Sequence, residues 1–193
     1  MVHPSLPVKS LKELLALARS KPGQMSFSSS GIYGALHMPM EMFLHAAKLK
    51  MRHVPTTGGG PAITALLGGH VEMTAGGPAA ISGHVRSGKM RTIASWGGSR
   101  IPSFQDVPTF KELGYKWVDG AYRGVAVPKS TPPDARKKVS DMMAALNQDP
   151  QILKWMADGG FEVVDIPYDK NAAFMKERGK EYTEIVKRMG LVK

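Results

Sequence analysis

Between residues 25 and 85 the chain repeats one local device three times: a short β-prone run, a tip of small residues, and at once an apolar helical pattern. Met25–Ser29 leads through Ser30, Gly31 and Tyr33 into a helix predicted over Gly34–Leu49. Arg52–Pro55 leads through Thr56, Thr57, Gly58 and Gly59 into Ala62–Leu67, and Val71–Ala75 leads through Gly76, Gly77 and Pro78 into Ala79–Val85. Strands that alternate with helices call for crossover connections and a parallel-rich sheet, so the fold class is α/β. The same order presents backbone N–H groups and hydroxyls at helix N-termini, where the helix dipole favours an anion. Three such tips read as one side of a ligand cleft.

Around these units the pattern is plainer. Ser10 and Glu13 have capping-box spacing ahead of Leu11, Leu14, Leu15 and Ala18, which share one helix face. Met90–Ser95 is a further predicted strand, and the Gly/Pro/Ser-rich run 97–108 a crossing loop. Beyond it, strands are expected over Tyr122–Val127 and Phe161–Ile166, and helices over Pro132–Leu146, Pro150–Asp158 and Asp169–Met189. Two lone strands cannot close a stable sheet by themselves.

The order of several motifs resembles one family. Ser29-Ser30-Gly31 stands before a helix bearing His37, followed by His53-Val54-Pro55 and a glycine turn. Then come Ala65-Leu66-Leu67-Gly68-Gly69-His70-Val71-Glu72, Gly88-Lys89-Met90-Arg91-Thr92-Ile93-Ala94 and Val107-Pro108-Thr109-Phe110-Lys111-Glu112-Leu113-Gly114. Together these resemble the solute-binding receptors of tripartite tricarboxylate transporters, the Bug receptors. The likeness continues through Gly124-Val125-Ala126-Val127-Pro128, Thr131-Pro132 and the closing helix.

The resemblance implies a type II periplasmic-binding-protein-like fold. Residues 8–105 are then expected as a complete α/β ligand-binding lobe, and 115–193 as the C-terminal part of a second lobe. In the family an upstream segment supplies the rest of that lobe, including a Gly-rich turn and an Asp at the ligand. The expectation is therefore of an incomplete receptor that binds its solute poorly and exposes strand edges. Family members are periplasmic, although Met1-Val2-His3-Pro4 lacks the charged-then-apolar pattern of a signal peptide.

Charge bears on the ligand. The net charge is +10, from 26 basic and 16 acidic residues. Residues 1–97 hold ten Lys/Arg against only Glu13, Glu41 and Glu72, a net of +7. A lobe so poor in carboxylates attracts anionic solutes, while ordinary solubilising charge accounts for the same count. No zinc finger, RNP-like aromatic motif or basic helical stripe points to nucleic acid. Cysteine is absent, which excludes a disulfide framework, a thiolate nucleophile and a Cys-based metal site. No apolar run approaches the ~20 residues that span a bilayer.

Catalytic signatures are missing as well. There is no Gly-x-Ser-x-Gly elbow, Walker loop or Rossmann fingerprint. His37, Glu41 and His45 recur every four residues, but the third has rotated about 80° from the first, and no second ligand cluster accompanies them. His37 is expected to cap or pack near the turn, and His45 to face solvent. No metal and no cofactor are expected.

The candidate ligand-binding residues are Ser29, Ser30, Gly31, Tyr33, Thr56, Thr57, Gly58, Gly59, Gly77 and Pro78. Ser29 and Ser30 offer hydroxyl donors to a carboxylate, and Gly31 allows close backbone approach. Tyr33 replaces a commonly smaller family residue, and Thr56-Thr57 stands where the family often has Tyr-Lys or Tyr-Thr. The function implied is non-catalytic: binding a small carboxylate in an interlobe cleft and passing it to the membrane components of the transporter. The alternative is a ligand-sensing regulatory domain of the same fold, which a helix-turn-helix ahead of residue 1 would favour.

Overall fold

A computed structural model describes the chain except Trp117, Ala121, Glu162, Met189 and residues 191–193, and gives only the backbone of Arg188. The chain divides into two compact units, Met1–Ala121 and Tyr122–Lys193.

The first unit is built on three parallel strands in the order β2-β1-β3: β1 (Ser26–Ser29), β2 (Arg52–Pro55) and β3 (Met73–Thr74). β1 is central, pairing Phe27 with His53 on one side and with Met73 on the other. Helices α1 (Leu11–Ser20), α2 (Met38–Ala47), α3 (Gly59–Leu67) and α4 (Pro78–Arg86) precede or connect the strands. Ser10 caps α1 by accepting from the Glu13 N–H at 3.2 Å, and Glu13 in turn accepts from the Lys9 N–H at 2.6 Å.

Alternation along β1 sorts the layers. Phe27 enters a core with Leu11, Leu14 and Ala18 of α1 and Met40, Phe43 and Leu44 of α2. A second core joins Ile63 and Leu66 of α3 to Ile81 of α4, Val71, Met90 and Phe104. Ser28 faces the other way from Phe27, with its Oγ 2.8 Å from the Ala62 carbonyl of α3 and 2.9 Å from Thr74 Oγ1. All four residues of β1 are buried although three are serines. Their polar atoms are satisfied locally: Glu72 Oε2 accepts from both the N–H and the hydroxyl of Ser26, at 2.6 and 2.8 Å.

Several expected elements are shorter. The helix predicted over Gly34–Leu49 runs only Met38–Ala47. Tyr33 is in the left-handed region at φ 59°, and residues 34–37 form turns closed by the His37 N–H on the Gly34 carbonyl. Pro39 stands in the first turn of the helix, and Lys48 at φ 54° ends it. The predicted strand Met90–Ser95 is reduced to two isolated pairings, Arg91 with Val2 and Ser95 with Thr109. Neither partner can extend a ladder: Pro4 lies two residues beyond Val2 and Pro108 stands immediately before Thr109.

In the second unit, α5 (Pro133–Leu146), α6 (Pro150–Asp158) and α7 (Tyr168–Arg188) form as helices. Met189, the expected end of the last one, lies outside the described residues. The predicted strand Tyr122–Val127 is irregular, as are the described residues of Phe161–Ile166; Glu162 lies outside them. A strand exists only against a partner ladder, and the described residues of this unit supply none. Local ties replace it: Arg123 sits over the Phe161 ring at 4.7 Å, Tyr122 meets Phe174 edge-on at 5.5 Å, and Asn147 Nδ2 donates to Asp165 at 3.0 Å. Neither α5 nor α6 has a buried residue.

Candidate functional site

Because the three strands are parallel, their C-terminal ends share one edge of the sheet. From that edge leave three turns: residues 30–37 into α2, 56–58 into α3, and 75–77 into α4. Residues at the first turn of a helix have N–H groups without intrahelical acceptors, so each turn presents donors. The first turns of α3 and α4 carry no acidic residue. An anion placed there meets no like charge on those two helices.

The first two turns are bonded to each other. The Thr56 N–H donates to the Ser29 carbonyl at 3.0 Å. Thr56 Oγ1 lies 2.9 Å from that carbonyl and 2.8 Å from the Gly58 carbonyl. Gly31 adopts φ 137°, which glycine alone adopts without strain. So Ser29, Gly31, Thr56 and Gly58 come together, with Gly59 opening α3 beside them. Gly77 and Pro78 share the edge through the β1–β3 pairing, at the mouth of the third turn. Ser30 is half-buried at the tip, while Tyr33 and Thr57 are exposed.

Ser29 differs from the rest. It is fully buried, with its Oγ 2.7 Å from His53 Nε2 and 3.1 Å from the Gly31 carbonyl. Its hydroxyl therefore supports the turn from beneath, and Ser30 is the hydroxyl at the surface.

Beneath the turn lies a cluster that the sequence reading missed. The imidazoles of His37 and His53 stack with centroids 3.8 Å apart and planes 15° from parallel. Phe27 backs His53 at 4.9 Å. His37 Nδ1 accepts from the Tyr33 N–H at 2.9 Å, and its Nε2 lies 3.2 Å from Glu41 Oε1. His37 thus packs near the turn and His45 is exposed, as expected. The His37–Glu41 spacing serves a hydrogen bond, and the described residues hold no group of three side chains able to bind a metal.

Burial pushes both histidines below the usual range; the neighbouring His37 charge lowers His53 further, and Glu41 works against it. Burial pushes Glu41 up, opposed by His53. The unfolded histidines take up protons first as pH falls below about 6.5, so the native state loses stability from there down through their folded values. Glu41, raised when folded, has the opposite sign: its contribution is lost as pH rises through its folded value. We expect the thermal midpoint to fall on acidification from about pH 7, and less steeply in His37→Asn, which cannot titrate. Parallel melting curves of the two proteins check this.

A family model described as the tripartite tricarboxylate transporter family receptor matches residues 1–191. A Cupriavidus necator protein named "UPF0065 protein in gbd 5'region" is 32% identical over 97% of this chain and 57% of its own length. Protein BugT of Bordetella pertussis is 28% identical over 98% of this chain and 59% of its own length. Among solved structures, a periplasmic transporter aligns with TM-score 0.89 at 31% identity, over 96% of this chain and 62% of that one. Periplasmic binding protein BugD aligns with TM-score 0.90 at 26% identity, over 98% and 64%. Rpa4515 of R. palustris, solved with adipate, shares the fold at TM-score 0.92 and 22% identity, over 98% and 64%. The chain spans less than two thirds of the length of each of these relatives. Its fold is the α/β fold of the periplasmic binding proteins.

Proposed function

The chain belongs to the tripartite tricarboxylate transporter receptor family, and from that premise we propose that it is a non-catalytic, periplasmic solute-binding component that takes a small carboxylate. On this reading residues 8–105 are the ligand-binding lobe and 115–193 belong to a second lobe. The solute passes to the membrane components of a tripartite transporter.

One observation carries the reading: three turns leave a single edge of a parallel sheet, and two open helices with no acid in their first turn. A carboxylate there accepts from backbone N–H groups of the turns and from the Ser30 and Thr57 hydroxyls, with Tyr33 alongside. The edge of a parallel sheet beyond the strand C-termini is where α/β folds of this kind hold ligands. The scarcity of acids in residues 1–97 adds a favourable field. A hydrolytic role for Ser29 and His53 conflicts with burial, because a nucleophile must reach its substrate and Ser29 is fully enclosed.

Adipate is the first probe to try. In amide NMR spectra it should shift Gly31, Tyr33, Thr57, Gly59, Gly60 and Gly77 and leave α1 unchanged. No response at adipate concentrations of about 10 mM, where even weak carboxylate sites fill, would overturn the proposed site. Ser30→Ala should weaken adipate by about 1 kcal/mol, roughly fivefold, through loss of one hydrogen bond. Equal affinities by calorimetry would remove Ser30 from the site.

A further inference from the structure

The histidine pair lies between two strands and the turn that the proposed ligand would touch. His37 stands at the N-terminus of α2 and holds the Tyr33 N–H through Nδ1. His53 sits on β2 and contacts Ser29 Oγ, at the other end of the same turn. Stacked at 3.8 Å, the rings connect the two ends of residues 29–33. Tyr33 at φ 59° is a conformation that costs a non-glycine residue energy, so something outside the turn must hold it.

The proton positions follow from the contacts. Accepting from Tyr33 requires His37 Nδ1 to be bare, which puts the ring proton on Nε2, facing Glu41. A second proton can enter His37 only at Nδ1, where it would meet the Tyr33 N–H head-on. We propose that His37 and His53 are positioning residues, a stacked neutral clamp that holds the Ser29–Tyr33 turn in its anion-binding shape and releases it when His37 takes up a proton. That the turn binds an anion rests on the reading above; that the clamp holds the turn rests on these contacts alone.

The surrounding charges fit this role. α2 contributes Glu41 against the pair, and His45 one turn farther on is exposed. β2 contributes Arg52, exposed and directed by strand alternation to the face opposite His53. The turn contributes Tyr33, whose ring lies 5.9 Å from His37, while β1 and α3 contribute no titratable group. Among the described residues of these elements, Glu41 is thus the charge that welcomes a proton on His37. Against it stand burial, the stacked second imidazole and the Tyr33 N–H. Both histidines lie below the usual range, which matches a pair built to be neutral near pH 7.

Amide exchange and histidine titration on the whole chain test the clamp. Near pH 8 the Tyr33 amide should be protected, and on acidification to about pH 5 it should lose protection in step with the His37 ring. His37→Asn keeps an acceptor at the Nδ1 position but cannot titrate, so protection should persist across the whole range. His37→Leu should lose it at every pH. Over the same range adipate affinity should fall about tenfold further in the wild type than in His37→Asn, whose smaller decline reports the protonation of adipate itself. A Tyr33 amide that ignores the His37 titration, or an Asn variant that tracks pH like the wild type, overturns the clamp. A Tyr33 amide that follows His37 while adipate fails to bind at pH 8 retains the clamp and overturns the carboxylate site.

Discussion

Phe27→Ala is expected to cost about 3–5 kcal/mol in a urea unfolding titration, a large part of the ~5–15 kcal/mol that holds a domain folded. Phe27 is fully buried on the central strand and packs against residues of both α1 and α2. Its removal leaves a cavity flanked by strands on both sides, so the walls have little freedom to close over it. The ring also backs His53 at 4.9 Å and His37 at 6.1 Å. The damage should therefore spread to the turn, and the Tyr33 amide should lose protection even under conditions where the variant remains folded. A loss below about 1 kcal/mol would mean that the core around β1 is not organised as described.

The second large effect concerns residues 122–193. Tyr122, Val125, Met142, Trp155 and Val164 are each more than half exposed, and no residue of α5 or α6 is fully buried. Apolar surface of this extent drives association. Light scattering at roughly 10–100 µM should report species of at least twice the chain mass. The paired change Val125→Lys with Trp155→Lys should shift the population toward single chains. A monodisperse monomer in the unaltered chain would show that this surface is covered in solution.

Much of the first unit was legible because its signals are local. Ser10 with Glu13 marks the start of α1, and small residues between apolar runs mark all three turns. The parallel sheet follows from the order of those runs. What escaped was the product of long-range pairing. His37 and His53 are sixteen positions apart, on a helix start and a strand, and only the register that sets Phe27 beside His53 brings their rings together. The role of Ser29 escaped for the same reason: as a letter it equals Ser30, yet one hydroxyl is enclosed and the other is at the surface. The two strands expected beyond residue 120 failed on a different ground, since β-propensity measures fitness for a ladder that a neighbour must complete.

The serines of β1 have a consequence for how the chain finds its pairing at all. Sliding a strand by one residue turns every side chain to the opposite face. In β1 that would carry the Ser28 hydroxyl away from Ala62 and Thr74 and into the company of Phe43 and Leu44, where each unpaired buried hydroxyl costs about 1–3 kcal/mol. A run of valines there would pair more strongly, but almost as well in either setting. The hydroxyls of Ser28 and Thr74 act as a key cut for one lock: they add little to the strength of the sheet and make its misaligned forms unfavourable.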